Sequence, residues 1–210
     1  SHAVGSKYFN EKIGNCKYSD ITVFSFHPVK IITTAEGGAS LTNNKMYYEK
    51  MLQFRENGII FDKKRLIKKS KYAGYYEQVS TGYNYRMNEL SAALGISQLQ
   101  KLKKFINKRN QIAKKYIDEL KNFPIQFQKI EKYNLSSYHI MIVKFNINKL
   151  KLNYKQIFNK FRKNRIFVNL HYSALHLNPY FKSLGFKKKQ FLNSEDYSKS
   201  SLSVPNYYDL

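Results

Sequence analysis

Between residues 89 and 121 apolar side chains recur at three- and four-residue steps, from Leu90, Ala93 and Leu94 through Leu102, Phe105 and Ile106 to Ile112, Ala113, Tyr116 and Leu120. That spacing is one stripe along an α-helix. About 32 residues rising 1.5 Å each extend ~48 Å, more than one small core requires. A chain carrying such a helix either joins two lobes through it or bends it. Asn88 is placed to cap its start. Gly95 interrupts the stripe at a cost of ~1 kcal/mol relative to alanine, which predicts another backbone packed close against it. The outer face, with Lys101, Lys103, Lys104, Lys108 and Arg109, reads as a solvated basic surface. It is also the stretch best suited to non-specific contact with nucleic acid.

Upstream, residues 21–26 form an apolar, β-branched and aromatic run that reads as a buried strand. It ends in Ser25-Phe26-His27-Pro28-Val29-Lys30, where proline stops any ladder or helix from running through. Lys30 therefore falls on a turn just beyond a strand. Glu36-Gly37-Gly38 follows, where the backbone needs positive φ or a close approach. Open α/β sheets bind ligands just outside the carboxyl ends of their strands, so Lys30 is a candidate Schiff-base lysine. Residues 39–42 read as a short returning strand. Residues 45–57 read as a helix with Met46, Met51, Leu52 and Phe54 as apolar contributors and Gly58 as its stop.

Charge is the strongest bulk signal: 37 Lys and Arg against 14 Asp and Glu, net +23. Such a field attracts phosphates, whether of a nucleic acid, an anionic lipid or a nucleotide sugar. The lysines are scattered, however, in a chain also crowded with Asn, Ile, Tyr and Phe, a bias expected of an AT-rich genome. A basic nucleic-acid-binding module is the non-enzymatic alternative. No apolar run approaches the ~20 residues of a membrane span. The first residues lack the basic and apolar regions of a signal peptide. The single Cys16 excludes an internal disulfide framework, which makes the cytoplasm the expected compartment.

Three stretches carry a family resemblance. Ser25 to Lys30 with Thr33-Thr34-Ala35-Glu36-Gly37-Gly38, then Gly82-Tyr83-Asn84-Tyr85-Arg86-Met87-Asn88-Glu89, then Asn169-Leu170-His171-Tyr172 with His176-Leu177-Asn178-Pro179-Tyr180, resemble the DegT/DnrJ/EryC1/StrS sugar aminotransferases. The resemblance implies an α/β chain of the fold-type I, pyridoxal-phosphate-dependent transferases. It implies that Lys30 carries pyridoxal phosphate, that His2 lies against its ring, and that Ser25 binds its phosphate. Asn84 would reach the phosphate of the neighbouring subunit in a homodimer with shared sites, and Arg86, His171 and Tyr172 would face the sugar nucleotide. Tyr75-Tyr76-Glu77 looks most like the pseudaminic-acid branch. That implies L-glutamate as donor and a UDP-linked 4-keto-6-deoxy-N-acetylhexosamine as acceptor; the alternative is another nucleotide-linked keto sugar, perosamine-like or 3-keto. Neither a metal nor a nucleic acid or membrane partner is implied.

The resemblance also sets expectations about extent. Ser1-His2-Ala3-Val4-Gly5 resembles the family's Asp-Ala-Ser-His-Ala-x-Gly entered two residues late, so the chain is expected to lack the first half of the fold and its last helix. Residues 1–100 would be the rest of the large cofactor domain, 101–122 a connecting helix, and 123–210 an incomplete small α/β domain. A fragment of that kind is expected to be inactive alone. In the small domain the sequence predicts strands at 138–145 and 166–170 around a helix at 154–162.

Overall fold

The computed structural model describes residues 1–68, 70 and 72–210. The chain divides into two compact units: residues 1–103 with 133–135, and residues 104–132 with 136–210.

The first unit is built from short antiparallel pairs. β1 (Lys7–Tyr8) pairs with β2 (Glu11–Lys12). Its other edge takes residues 133–135: the Lys7 N–H donates to Leu135 O (2.9 Å) and the Leu135 N–H to Lys7 O (3.0 Å). β3 (Thr22–Ser25) pairs with β4 (Gly38–Leu41), Ser25 opposite Gly38. Residues 21–26 were expected to be buried throughout, but the strand alternates: Phe24 is buried while Ile21 and Val23 are exposed. That is the pattern of a strand with one face covered. A Cβ at Gly38 would lie 2.7 Å from Phe24 O, so the close approach anticipated at the glycine pair is to the backbone of the paired strand.

α1 (Lys45–Arg55) starts at Asn44, whose side chain accepts from the Met46 and Tyr47 N–H groups, as an N-cap should. It stops before Asn57 and Gly58, both at positive φ. Two of its expected apolar contributors, Met46 and Phe54, are exposed. β5 (Ile59–Ile60) and β6 (Glu77–Gln78) then form an antiparallel pair; Lys69 and Lys71, between them, lie outside the described residues.

α2 spans Glu89–Leu120. Asn88 caps it as expected, its side chain accepting from the Ser91 N–H at 2.8 Å. Within the first unit its apolar stripe is largely uncovered: Leu90 is 86% exposed, with Leu94 and Leu99 also exposed. A Cβ at Gly95 would stand 2.8 Å from the Thr34 Cγ2 methyl. The close neighbour is therefore a buried side chain, not the backbone that the sequence suggested.

In the second unit β7 (Ile125–Phe127), β8 (Met141–Phe145) and β9 (Ser201–Val204) form an antiparallel sheet with β8 central. After α3 (Ile147–Leu150), α4 (Tyr154–Lys163) opens with a capping box between Asn153 and Gln156. It sets Ile157 against Val168 and Leu202 in the core. The strand expected at 166–170 is reduced to one bridge, Asn169 to Ser203. A 3-10 turn (Leu175–Leu177), α5 (Pro179–Ser183) and α6 (Leu192–Ser200) complete the unit.

Arg109 overturns its placement on a solvated basic face. It is only 8% exposed, and its guanidinium donates to the carbonyls of Tyr138 (3.2 Å), His139 (3.4 Å) and Asn206. Tyr116 adds a hydrogen bond to Pro205 O (3.1 Å), so the segment following β9 is fastened to the second half of α2. Three carbonyls depend on one side chain. Arg109→Met should therefore destabilise the second unit by about 2–4 kcal/mol in urea denaturation, whereas Lys108→Met should change little. Gly95→Ala should fail to show the ~1 kcal/mol helix-propensity gain because of the Thr34 methyl. In a Thr34→Ser background that gain should emerge, which a double-mutant cycle of melting temperatures will read.

Candidate active site

The backbone of Phe26 organises the lysine turn. Its N–H donates to Gly37 O (2.9 Å), one step beyond the β3–β4 ladder, and its carbonyl accepts from the Thr34 N–H (3.0 Å) and the Thr33 hydroxyl (3.0 Å). Residues 27–33 are thereby closed into a loop at the strand end, with Ile31 and Ile32 buried beneath it. Inside the loop the Lys30 N–H donates to His27 O (2.9 Å), and the Ser25 hydroxyl accepts from the His27 N–H (3.4 Å). Lys30 Nζ lies 2.8 Å from His2 Nε2. The structure thus brings together two residues 28 positions apart that the sequence had assigned to one site. An amine in hydrogen-bond contact with an imidazole can pass a proton to it directly. The Lys30 amine beside the His2 imidazole, with the Ser25 hydroxyl at the end of β3, offers groups whose chemistry suits a phosphorylated aromatic aldehyde. No group of three or more His, Cys, Asp or Glu suited to a metal occurs among the described residues.

Asn84 and Arg86 stand together in the same unit. The Arg86 Nε donates to Asn84 Oδ1 (3.0 Å) and lies 3.6 Å from Glu56 Oε2. Glu56 Oε1 also accepts from Arg55 (2.7 Å to Nη2), so one carboxylate orients two arginines. Residues 83–85 are held by the end of α1, the Tyr83 N–H donating to Phe54 O and the Tyr85 N–H to Arg55 O, and their two tyrosine rings stack at 4.7 Å. Arg86 lines a groove of about 820 Å3 with Phe24, Gly37, Gly38, Leu52 and Tyr83; Lys30, His2 and Ser25 do not line it. Glu56 was missed in the sequence, where nothing marks its partner thirty residues away.

Glu77 closes the loop that precedes this segment. Its carboxylate accepts from the Ile67 and Lys68 N–H groups (2.5 and 2.6 Å) and the Tyr75 hydroxyl (3.3 Å). Desolvation pushes its pKa up, but the two backbone donors outweigh that and hold it below the ordinary carboxylate value. The Tyr-Tyr-Glu motif is therefore, in structural terms, a carboxylate cradle for its own loop.

His171 and Tyr172 lie in the second unit. The His171 Nδ1 is 2.6 Å from Ser203 Oγ on β9, and Tyr172 is exposed. His176, five residues on, is buried and its Nε2 donates to Glu195 Oε1 (3.1 Å). Neither partner was legible in the sequence, since each lies nineteen or more residues away.

The whole chain, residues 1–210, matches the model of the DegT/DnrJ/EryC1/StrS aminotransferase family. It is 36% identical over 216 residues to a UDP-4-amino-4,6-dideoxy-N-acetyl-beta-L-altrosamine transaminase of Campylobacter jejuni, covering 100% of this chain and 53% of that one. An uncharacterized protein of Methanocaldococcus jannaschii is 35% identical over 209 residues, 99% of this chain and 53% of its own. Among solved structures, Helicobacter pylori PseC, an aminotransferase involved in the biosynthesis of pseudoaminic acid, superposes with a TM-score of 0.85 at 33% identity, covering 100% of this chain and 53% of that one. The chain spans about half the length of the curated relatives it matches. With its α/β structure shared with these enzymes and its entire length matched, the chain belongs to the DegT/DnrJ/EryC1/StrS aminotransferase family.

Proposed function

We propose that the chain is part of a pyridoxal-phosphate-dependent aminotransferase that moves the amino group of L-glutamate to a UDP-linked 4-keto-6-deoxy-N-acetylhexosamine. The observation that carries this reading is Lys30 Nζ, set 2.8 Å from His2 Nε2 on the turn after β3, in a chain that matches the aminotransferase family end to end. The sugar is argued from relatives at 34–36% identity that are named as altrosamine transaminases. When bound, pyridoxal phosphate supplies an aldehyde for covalent attachment and an electron sink for the carbon that loses its proton.

The protein's own groups do the rest. Lys30 would hold the cofactor and, when released from it, carry a proton at Nζ to and from the donor's α-carbon. His2 would pack against the ring and is within reach to exchange that proton. The Ser25 hydroxyl would donate to the phosphate. Asn84 would serve the phosphate of a second subunit, so the active assembly is a homodimer with shared sites, and Arg86, with Glu56 fixing its direction, would meet the diphosphate of the sugar nucleotide. His171 and Tyr172 would flank the sugar. No described helix is long and apolar enough to cross a membrane.

In the full-length protein, borohydride reduction in the presence of pyridoxal phosphate should place the label on Lys30 alone, as read by peptide mass spectrometry. Label spread over the other lysines, or undiminished in Lys30→Ala, would overturn the assignment. For the full-length protein, mixing Lys30→Ala with Asn84→Ala subunits should restore activity that neither variant has, because one site per heterodimer is then intact. An active monomer by light scattering would exclude the shared site.

A further inference from the structure

The loop of residues 171–176 is bounded by two histidines, and each is engaged by a different element. At its start His171 Nδ1 meets Ser203 Oγ at 2.6 Å. The Ser203 hydroxyl also donates to Asn169 O (3.2 Å). The backbones of Asn169 and Ser203 exchange hydrogen bonds of 3.1 and 2.9 Å, so that end is built onto the sheet through β9. At its far end His176 donates to Glu195 Oε1 (3.1 Å), which also accepts from the Lys189 N–H (2.5 Å). Glu195 is 4% exposed. It thus ties the 3-10 turn, the backbone before α6 and the first turn of α6 to one another. Between the two ends Ala174 is buried, while Tyr172 is 61% exposed and Leu175 is exposed as well.

We propose that Ser203 and Glu195 are positioning residues that pin the two ends of this loop through its histidines, so that Tyr172 and Leu175 are presented from a fixed frame. The value of that frame for substrate rests on the reading given above for Tyr172; the tethering itself does not. A buried carboxylate with an imidazole and a backbone N–H on one oxygen is a directional clasp, because each donor approaches along its own line. A lysine on the same helix also faces Glu195: Lys199 Nζ lies 4.0 Å from Oε2. The His176 hydrogen bond holds the Glu195 carboxyl below its ordinary value, with the Lys189 N–H and Lys199 adding to it against the opposing effect of burial. A carboxyl depressed in the folded state contributes stability above its unfolded pKa and loses it as pH falls through the folded one. The clasp is therefore closed at neutral pH and opens as pH falls below the ordinary carboxylate range.

Amide hydrogen exchange on the 210-residue chain, read by mass spectrometry with a β8 peptide as internal reference, tests this without any ligand. Glu195→Ala should speed exchange in residues 171–177 at least about tenfold and leave β8 unchanged. Glu195→Gln, which keeps an acceptor oxygen, should restore most of the protection at neutral pH. After correction for intrinsic rates, acid should loosen the loop in the wild type but not in Glu195→Gln. Ser203→Ala should loosen residues 171 and 172 while leaving 175–177 protected. An unchanged loop in Glu195→Ala, an equal rise in β8, or an acid response retained in Glu195→Gln would overturn the proposal. Since no cofactor or sugar enters the measurement, its failure would leave the enzyme reading standing, and failure of the Lys30 labelling would leave the clasp standing.

Discussion

The peptide group of Phe26 is the constraint on which the candidate site depends. Its N–H extends the β3–β4 ladder to Gly37, and its carbonyl receives both the backbone and the hydroxyl of the Thr33-Thr34 pair. Both polar groups of that peptide are occupied by backbone or hydroxyl partners. The loop that results cannot slide along the strand, because slippage by one residue would turn Phe24 from the covered face to the open one. Lys30 inherits its place from this arrangement, and with it the contact to His2.

What could be read from the sequence follows from the range of the interactions. The N-cap at Asn88, the helix stop at Gly58 and the long helix of α2 are local patterns, and the structure keeps them. Lys30, His2 and Ser25 could be named because they sit in contiguous motifs. Partners supplied from far along the chain could not. Glu56 orienting Arg86, Glu195 engaging His176, and the carbonyls that bury Arg109 are all fixed by tertiary packing. Arg109 shows the mechanism of the error most plainly. Helical periodicity put it with Lys101 and Lys108 on an outward face, but its side chain turns onto the carbonyls of Tyr138, His139 and Asn206, which only the folded chain brings within reach.

The strand anticipated at residues 166–170 failed for a related reason. Its apolar content is real, and Val168 is fully buried. Yet Val168 is spent on the core with Ile157 and Leu202, and only Asn169 reaches the sheet edge, bridging Ser203. Burial and ladder formation are separate demands on a residue, and β-propensity reports mostly the first.

The three residues 133–135 belong with β1 although the chain on either side of them is assigned to the other unit. The polypeptide therefore enters the second unit, returns to lend the first a strand edge, and leaves again. Cutting at residue 103 would not yield two self-sufficient pieces, because the first would lose Leu135 from its sheet and Tyr133 from its stack with Phe9. A single crossover at residue 103 would part Lys7 from Leu135 and Phe9 from Tyr133. In genetic terms the two units are linked by a stitch and are inherited as one.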